Sequence, residues 1–394
     1  MIIAGESSGE LYGAFLARTL KERNPGLRIV GVGGERMESA GVEFISRISS
    51  SFGITEAIRT YGEIKETFRK IIAAFESFRP QAIVLIDYPD FNIRVAREAK
   101  ERGIKVLYYV SPQVWAWRAG RVKVISSLVD KLAVILPFEA DIYRPTSVPC
   151  EFVGHPIMDE IGEVVHGEGY DIRDLGSEGL KAGMKKALGL EPDKPLLVLM
   201  PGSRFHEIKK LLPVMSDVMR EMKRRYPDCR FAIPVAANLR GDAASFLHSA
   251  LREFTGSSLL ITNHSIRTLL AADIAVIASG TSTLQAALLG VPTAVVYKLS
   301  PLSYFIGKLI VKVKHISLAN ILLDKSAKDD SGLRVRELLQ GNARKENIMA
   351  ELMKILEDPG YREEMVRQFA RVRALFAGRN ASLRAAELVE SLCG

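Results

Sequence analysis

Asp87 closes the apolar run "QAIVLID", and Glu6, Ser8 and Glu10 follow a shorter run in "MIIAGESSGE". A carboxylate at the end of a buried strand can take a proton from a hydroxyl or accept hydrogen bonds from a sugar. Asp90, just beyond, reads equally well as a helix cap. Two other stretches suit anions. In "DIAVIASGTSTLQAALLG", Gly280 lets the backbone approach a ligand, and Thr281, Ser282 and Thr283 place hydroxyls beside the unpaired N–H groups of a helix start. That arrangement suits a phosphate or diphosphate, or is simply a well-capped turn. In "PLLVLMPGSRFHEI", Ser203 and Arg204 repeat the device. Arg204 could neutralise a departing diphosphate, and outside a binding site it would be an ordinary surface arginine. Neither turn has the spacing of a P-loop, and no D-x-D triplet occurs to hold a metal-bridged diphosphate.

The chain's only two tryptophans, Trp115 and Trp117, stand in "VSPQVWAWRAGRV" with Arg118 and Arg121. On an extended chain both rings point the same way. They would offer a flat amphipathic surface to a sugar or acyl chain, with the arginines on a sugar phosphate. Alternatively the rings anchor the loop to the domain beneath.

These residues need elements to position them. "MIIAG", "LRIVGVGG", "QAIVLID", "IKVLYYV" and "DKLAVIL" alternate with amphipathic helices, the first helix from about Ser8 to Arg23. Runs apolar on both faces and joined by helices predict a parallel sheet covered on both sides. After a polar, glycine-rich segment from His166 to Gly183 the alternation restarts with "PLLVLM", "CRFAIPV", "SLLIT", "DIAVIAS" and "TAVVY". The expected fold is α/β, two doubly wound Rossmann-like domains facing a cleft, with a helical C-terminal tail. The expected boundaries are 1–165, a linker at 166–190, a second domain at 191–360, and helices at 361–394 returning to the first domain. Ligands of such sheets bind beyond the carboxyl ends of the strands, where nearly all these motifs fall.

Composition narrows the function. Lys and Arg outnumber Asp and Glu 54 to 46 over 394 residues, for a net charge of +8. That permits anionic partners, yet no basic tract interleaved with aromatics points to nucleic acid. Three scattered cysteines and six unpaired histidines give neither a disulfide framework nor a metal site, and a reducing compartment is expected. No signal peptide is read at the start. The uncharged stretch from Ile274 to Tyr297 is long enough to span a bilayer, but "SGTST" and "GVP" break it into strand, helix and strand. In "LSPLSYFIGKLIVKVK", Leu302, Phe305, Ile306, Leu309, Ile310 and Val313 share a helical face flanked by Lys308 and Lys312. This is the pattern of an interfacial helix on anionic lipid, and also of a helix packed on a sheet.

"GESSGE", "IDYPDFN", "YVSPQVWAWRAGRV", "FVGHPIMD", "LMPGSRFHEI", "ASGTSTLQ" and "ISLANILL" occur in the order and spacing of the lipid-A-disaccharide synthase family, which the chain resembles over almost its whole length. The resemblance implies an inverting, metal-independent GT-B transferase without a cofactor. It would move 2,3-diacylglucosamine from its UDP form to 2,3-diacylglucosamine 1-phosphate. It also implies Asp87 as catalytic base, and Glu6 and Ser8 in the first loop. Arg204, with Gln285 and Asn320, would serve the donor. Gln285 stands where the family has glutamate and Ala319 where it has proline, and "DKSAKDDSG" looks like an insertion. The implied setting is the cytoplasm of a Gram-negative bacterium, peripheral on an anionic inner-membrane face, with the oligomeric state, a homodimer included, left open. Two alternatives share the architecture or the ligand: a UDP-N-acetylglucosamine 2-epimerase-like enzyme, and a non-catalytic nucleotide-sugar or acyl-lipid binding protein.

Overall fold

The computed structural model describes residues 1–47, 56–117, 120–235, 241–254, 258–299, 314–326 and 332–394. The chain forms two compact units, one of Met1–Asp159 with Gly378–Gly394 and one of Glu160–Ala377.

The first unit holds a seven-stranded parallel sheet. Its strands are β1 (Ile2–Ala4), β2 (Val30–Gly33), β3 (Glu43–Arg47), β4 (Ala82–Ile86), β5 (Lys105–Tyr109), β6 (Lys131–Val134) and β7 (Cys150–Phe152). Their order is β3-β2-β1-β4-β5-β6-β7. Every residue of β1 and β4 is buried, because helices cover both faces. The chain runs from β1 outward to β3 and then returns to β4 on the other side. The carboxyl ends of β1 and β4 therefore flank the switch point, where open α/β sheets bind ligands.

The second unit repeats the plan with β8 (Leu196–Met200), β9 (Arg230–Pro234), β10 (Leu259–Thr262), β11 (Ile274–Ala278), β12 (Thr293–Tyr297) and β13 (Glu337–Leu339). Their order is β10-β9-β8-β11-β12-β13, with the switch point between β8 and β11. The uncharged stretch is strand, helix (Thr281–Leu289) and strand. Among the described residues no helix is long and apolar enough to cross a membrane.

The polar segment after His166 is ordered within the second unit. Ser177 caps the helix Glu178–Ala187, whose Leu180 and Met184 are buried. Lys185, itself buried, donates to Asp273 at 2.8 Å and to the Lys194 carbonyl at 2.7 Å. The tail forms helices Lys345–Glu357, Pro359–Ala374 and Ala381–Cys393, and the last of these packs in the first unit against the helix Ser7–Arg23. The stretch 302–313, read above as an interfacial helix, lies outside the described residues.

Candidate active site

Asp87 leaves the end of β4 in the left-handed region (φ 47°), as does Tyr88 (φ 45°), while Val110 at the end of β5 has φ 60°. A β-branched residue there is strained, and such strain gathers where a structure fixes a side chain for a purpose. The backbone of Asp87 is pinned from several directions. Its N–H points at the Tyr109 and Val110 carbonyls, and its own carbonyl accepts from Asn92 Nδ2 at 2.8 Å and Tyr108 OH at 2.7 Å. The position of the Asp87 carboxyl is thereby fixed largely through its own backbone. Burial, then the nearby charge of Glu6, push its pKa up to about 6, against the pull of the Tyr88 backbone N–H. Glu6 follows β1 directly across the switch point. A Cβ on Gly5 would stand 2.4 Å from the Tyr88 ring, so only glycine lets the two loops touch.

The neighbouring candidates separate into those near this carboxyl and those used by the fold. Arg121 pairs with Asp90 and also acts on Tyr108, whose hydroxyl donates to the Asp87 carbonyl. Ser8 is half-buried in the first turn of the helix after Glu6. Glu10 instead accepts from Arg36 N at 2.9 Å and caps the short helix Glu35–Ser39.

The tryptophan segment departs from expectation. Val114–Trp117 is a helical turn, so the extended chain on which the same-face expectation rested is absent. The turn begins where Val114 N donates to the Pro112 carbonyl at 2.6 Å. The side chain of Trp117 and all of Arg118 fall outside the described residues. Trp115 is half-buried, stacks edge-on against Phe138 at 5.2 Å, and donates its Nε1 to Glu139 Oε1 at 3.1 Å. Glu139 was not singled out by the motifs. The cue was there: "KLAVILPFE" is again an apolar strand followed by an acid.

In the second unit the two turns expected to bind anions lie side by side after β8 and β11, and they differ. Gly202 has φ 110°, and a Cβ there would meet Glu207 Oε2 at 2.4 Å. That oxygen accepts from Ser203 N at 3.2 Å and Arg204 N at 3.3 Å, so a resident carboxylate already occupies the amides of this turn. Arg204 itself is exposed, and it and Glu207 both act on Tyr297 at the end of β12. The helix Thr281–Leu289 has neither a side-chain cap nor an acid in its first turn. Gly280 precedes it, Thr281 is exposed, and Ser282 and Gln285 are half-buried. The backbone N–H groups at its start are therefore the more open of the two.

Thr283 and Asn320 work inside the fold. Thr283 Oγ1 donates to the Gly280 carbonyl and accepts from Leu318 N, while Ser279 Oγ holds the Ile316 carbonyl at 2.9 Å. Asn320 is fully buried, with Nδ2 on the Val335 carbonyl and Glu337 and Oδ1 accepting from Val335 N. Glu337 in turn accepts from the N–H groups of Ile316 and Ser317. The asparagine thus fixes the 315–320 segment against the open helix start. Among the described residues no group of three or more His, Cys, Asp and Glu side chains could hold a metal ion.

A family model described as Lipid-A-disaccharide synthetase matches residues 1–388. The lipid-A-disaccharide synthase of Geobacter sulfurreducens is 39% identical over 398 aligned residues, covering 100% of this chain and 97% of the relative. That of Coxiella burnetii is 36% identical over 396, covering 100% and 98%. Among solved structures, UDP-GlcNAc 2-epimerase from Neisseria meningitidis bound to UDP-GlcNAc aligns with a TM-score of 0.65 at 13% identity over 99% of each chain. The glycotransferase of kitacinnamycin aligns at 0.60 with 16% identity, over 100% of this chain and 98% of the other. These two likenesses concern the fold.

Proposed function

The chain belongs to the lipid-A-disaccharide synthase family, and from that premise we propose how its residues divide the work. As a member it is a glycosyltransferase of the condensation step in lipid A biosynthesis, with nucleotide-sugar and phosphorylated-sugar substrates. The donor is UDP-2,3-diacylglucosamine and the acceptor 2,3-diacylglucosamine 1-phosphate. The observation that carries the assignment of roles is the placing of Asp87: a pinned, half-buried carboxyl at the switch point of the first sheet, near Glu6.

Asp87 takes the proton from the acceptor 6-hydroxyl as that oxygen attacks the anomeric carbon of the donor. The bond from that carbon to the diphosphate breaks, and the electron pair leaves with UDP. A base with a pKa of about 6 is ionised at neutral pH and still basic enough to accept the proton. The open start of the Thr281–Leu289 helix, with Gly280, Thr281 and Ser282, holds the diphosphate. Arg204 on the adjacent turn neutralises the charge that develops there, and the Ser203 hydroxyl adds a hydrogen bond. Gln285, on the same helix, hydrogen-bonds the ribose as an uncharged amide, and Asn320 keeps the neighbouring segment in place. Glu6, Ser8, Trp115, Trp117 and Arg118 take the acceptor sugar, and Arg121 exchanges the exposed Asp90 for its phosphate.

Both substrates carry acyl chains, so the protein works from the cytoplasm at an anionic membrane surface, with Lys308 and Lys312 among the basic residues that meet it. The epimerase alternative is left with a likeness of fold alone.

The test is direct. Donor and acceptor mixed with the protein in detergent should yield disaccharide and UDP together, at a rate unchanged by excess EDTA. UDP formation that ignores the acceptor, or UDP-N-acetylglucosamine epimerised in its absence, would refute the transfer.

A further inference from the structure

The helix Glu139–Tyr143 begins with a carboxylate that the chain has removed from water. Glu139 is 2% exposed, and both of its oxygens are engaged. Oε2 accepts from Ile135 N at 3.3 Å and Leu136 N at 3.0 Å, which holds the turn after β6, and Oε1 accepts from Trp115 Nε1 at 3.1 Å. A second bond ties the same two segments. Ser111 Oγ and Tyr143 OH lie 2.6 Å apart, both buried. The loop from Val110 to Trp115 is thus fastened at each end to the element after β6, and its first residue is the strained Val110 that meets the Asp87 N–H. A buried carboxylate costs more desolvation than a neutral residue, so packing alone gives no reason for an acid here.

We propose that Glu139 is a positioning residue for acceptor binding, holding the Trp115 indole by its Nε1 and so fixing the loop that borders Asp87. The proposal rests on the reading that this loop faces the acceptor. Glutamine cannot replace the acid. If its oxygen serves Trp115, its amide N–H groups face the N–H groups of Ile135 and Leu136. If it is turned round, the indole loses its acceptor. The titratable groups around Glu139 are Asp87 after β4, Tyr143 on its own helix and Cys150 on β7. Burial, with a smaller push from the Asp87 charge, lifts its carboxyl to about 7 against the three hydrogen bonds.

Two measurements decide it. In steady-state kinetics on the full chain at pH 8, where Glu139 is ionised, Glu139→Gln should raise the KM for 2,3-diacylglucosamine 1-phosphate about tenfold or more, as loss of a hydrogen bond to a charged group does. The KM for the UDP sugar should stay within about twofold. Trp115→Phe, which breaks the same bond from the other side, should give a similar rise, and the double variant should add little to it. In a Trp117→Phe background, where Trp115 is the only indole, its fluorescence should titrate near pH 7, and that step should vanish with Glu139→Gln. A KM rise in Trp115→Phe without one in Glu139→Gln, or fully additive rises, overturns the Glu139 proposal alone. An acceptor KM untouched by Trp115→Phe, with Asp87→Asn still inactive, removes the acceptor assignment of the loop and the proposal with it.

Discussion

The base role proposed for Asp87 comes with a cost in stability. Its folded pKa of about 6 stands above the ordinary 3.8, so the fold favours the protonated form. The resulting stability is complete below the ordinary carboxylate value and is lost as pH rises through about 6. In the proposed mechanism turnover needs the ionised base, so the rate should rise over the same interval. Asp87→Asn should therefore lower kcat by about 10²–10⁴-fold and abolish the acid limb of the pH–rate profile. It should also melt at a higher temperature than the parent at pH 8 and not at pH 4. A variant that keeps the acid limb would pass the role to Glu6. The position of Asp87 at a strand end was legible because an apolar run ends in an acid. Glu139 follows the same rule, but its partner Trp115 lies on another loop, and no periodicity announces a hydrogen bond between remote residues.

At the scale of elements, two helix starts that look alike in sequence have different electrostatics. The amides of the Pro201–Arg204 turn are taken by Glu207, whereas the Thr281–Leu289 helix carries no such acid. In the proposed site the first turn therefore contributes the Arg204 side chain to the donor, and the second contributes its backbone. Arg204→Ala should weaken UDP binding about ten- to a hundredfold, the range of one charge-assisted hydrogen bond. Glu207→Ala should cost about 1 kcal/mol of stability as a lost cap and weaken UDP several-fold by loosening the turn. Glu207→Gln, whose oxygen can still accept from both amides, should bind UDP at least as well as the parent. Calorimetric titration of the three variants separates shape from charge, and tighter binding by Glu207→Ala would show that the carboxylate only competes with the ligand. Sequence placed both turns at strand ends, yet the Glu207 contact depends on Gly202 adopting φ 110°, which the motif alone does not reveal.

For the molecule as a whole, the apolar strands were legible, the edge strand β10 among them, and the other three edges were not. β3 is only partly buried and mixes charged with apolar residues, and β7 and β13 have three residues each, so none carries an apolar run to mark it. The return of the last helix to the first unit is fixed by tertiary bonds. Asp159 accepts from Ala381 N, Ser382 N and Ser382 Oγ, the last two at 2.8 and 2.6 Å, and Arg23 pairs with Glu390. Exposed ion pairs such as Arg23–Glu390 add little. The cap at Asp159 is half-buried and satisfies donors that burial would otherwise strand, so its loss should cost about 1–3 kcal/mol. Each unit has its own sheet and core, so calorimetry should resolve two transitions. UDP should raise one of them, because a ligand stabilises the unit that binds it. Asp159→Ala should lower the other and leave the UDP-sensitive transition in place, since the helix it caps closes the first unit. If UDP and Asp159→Ala act on the same transition, either the donor is not held by the second unit or the two units unfold as one.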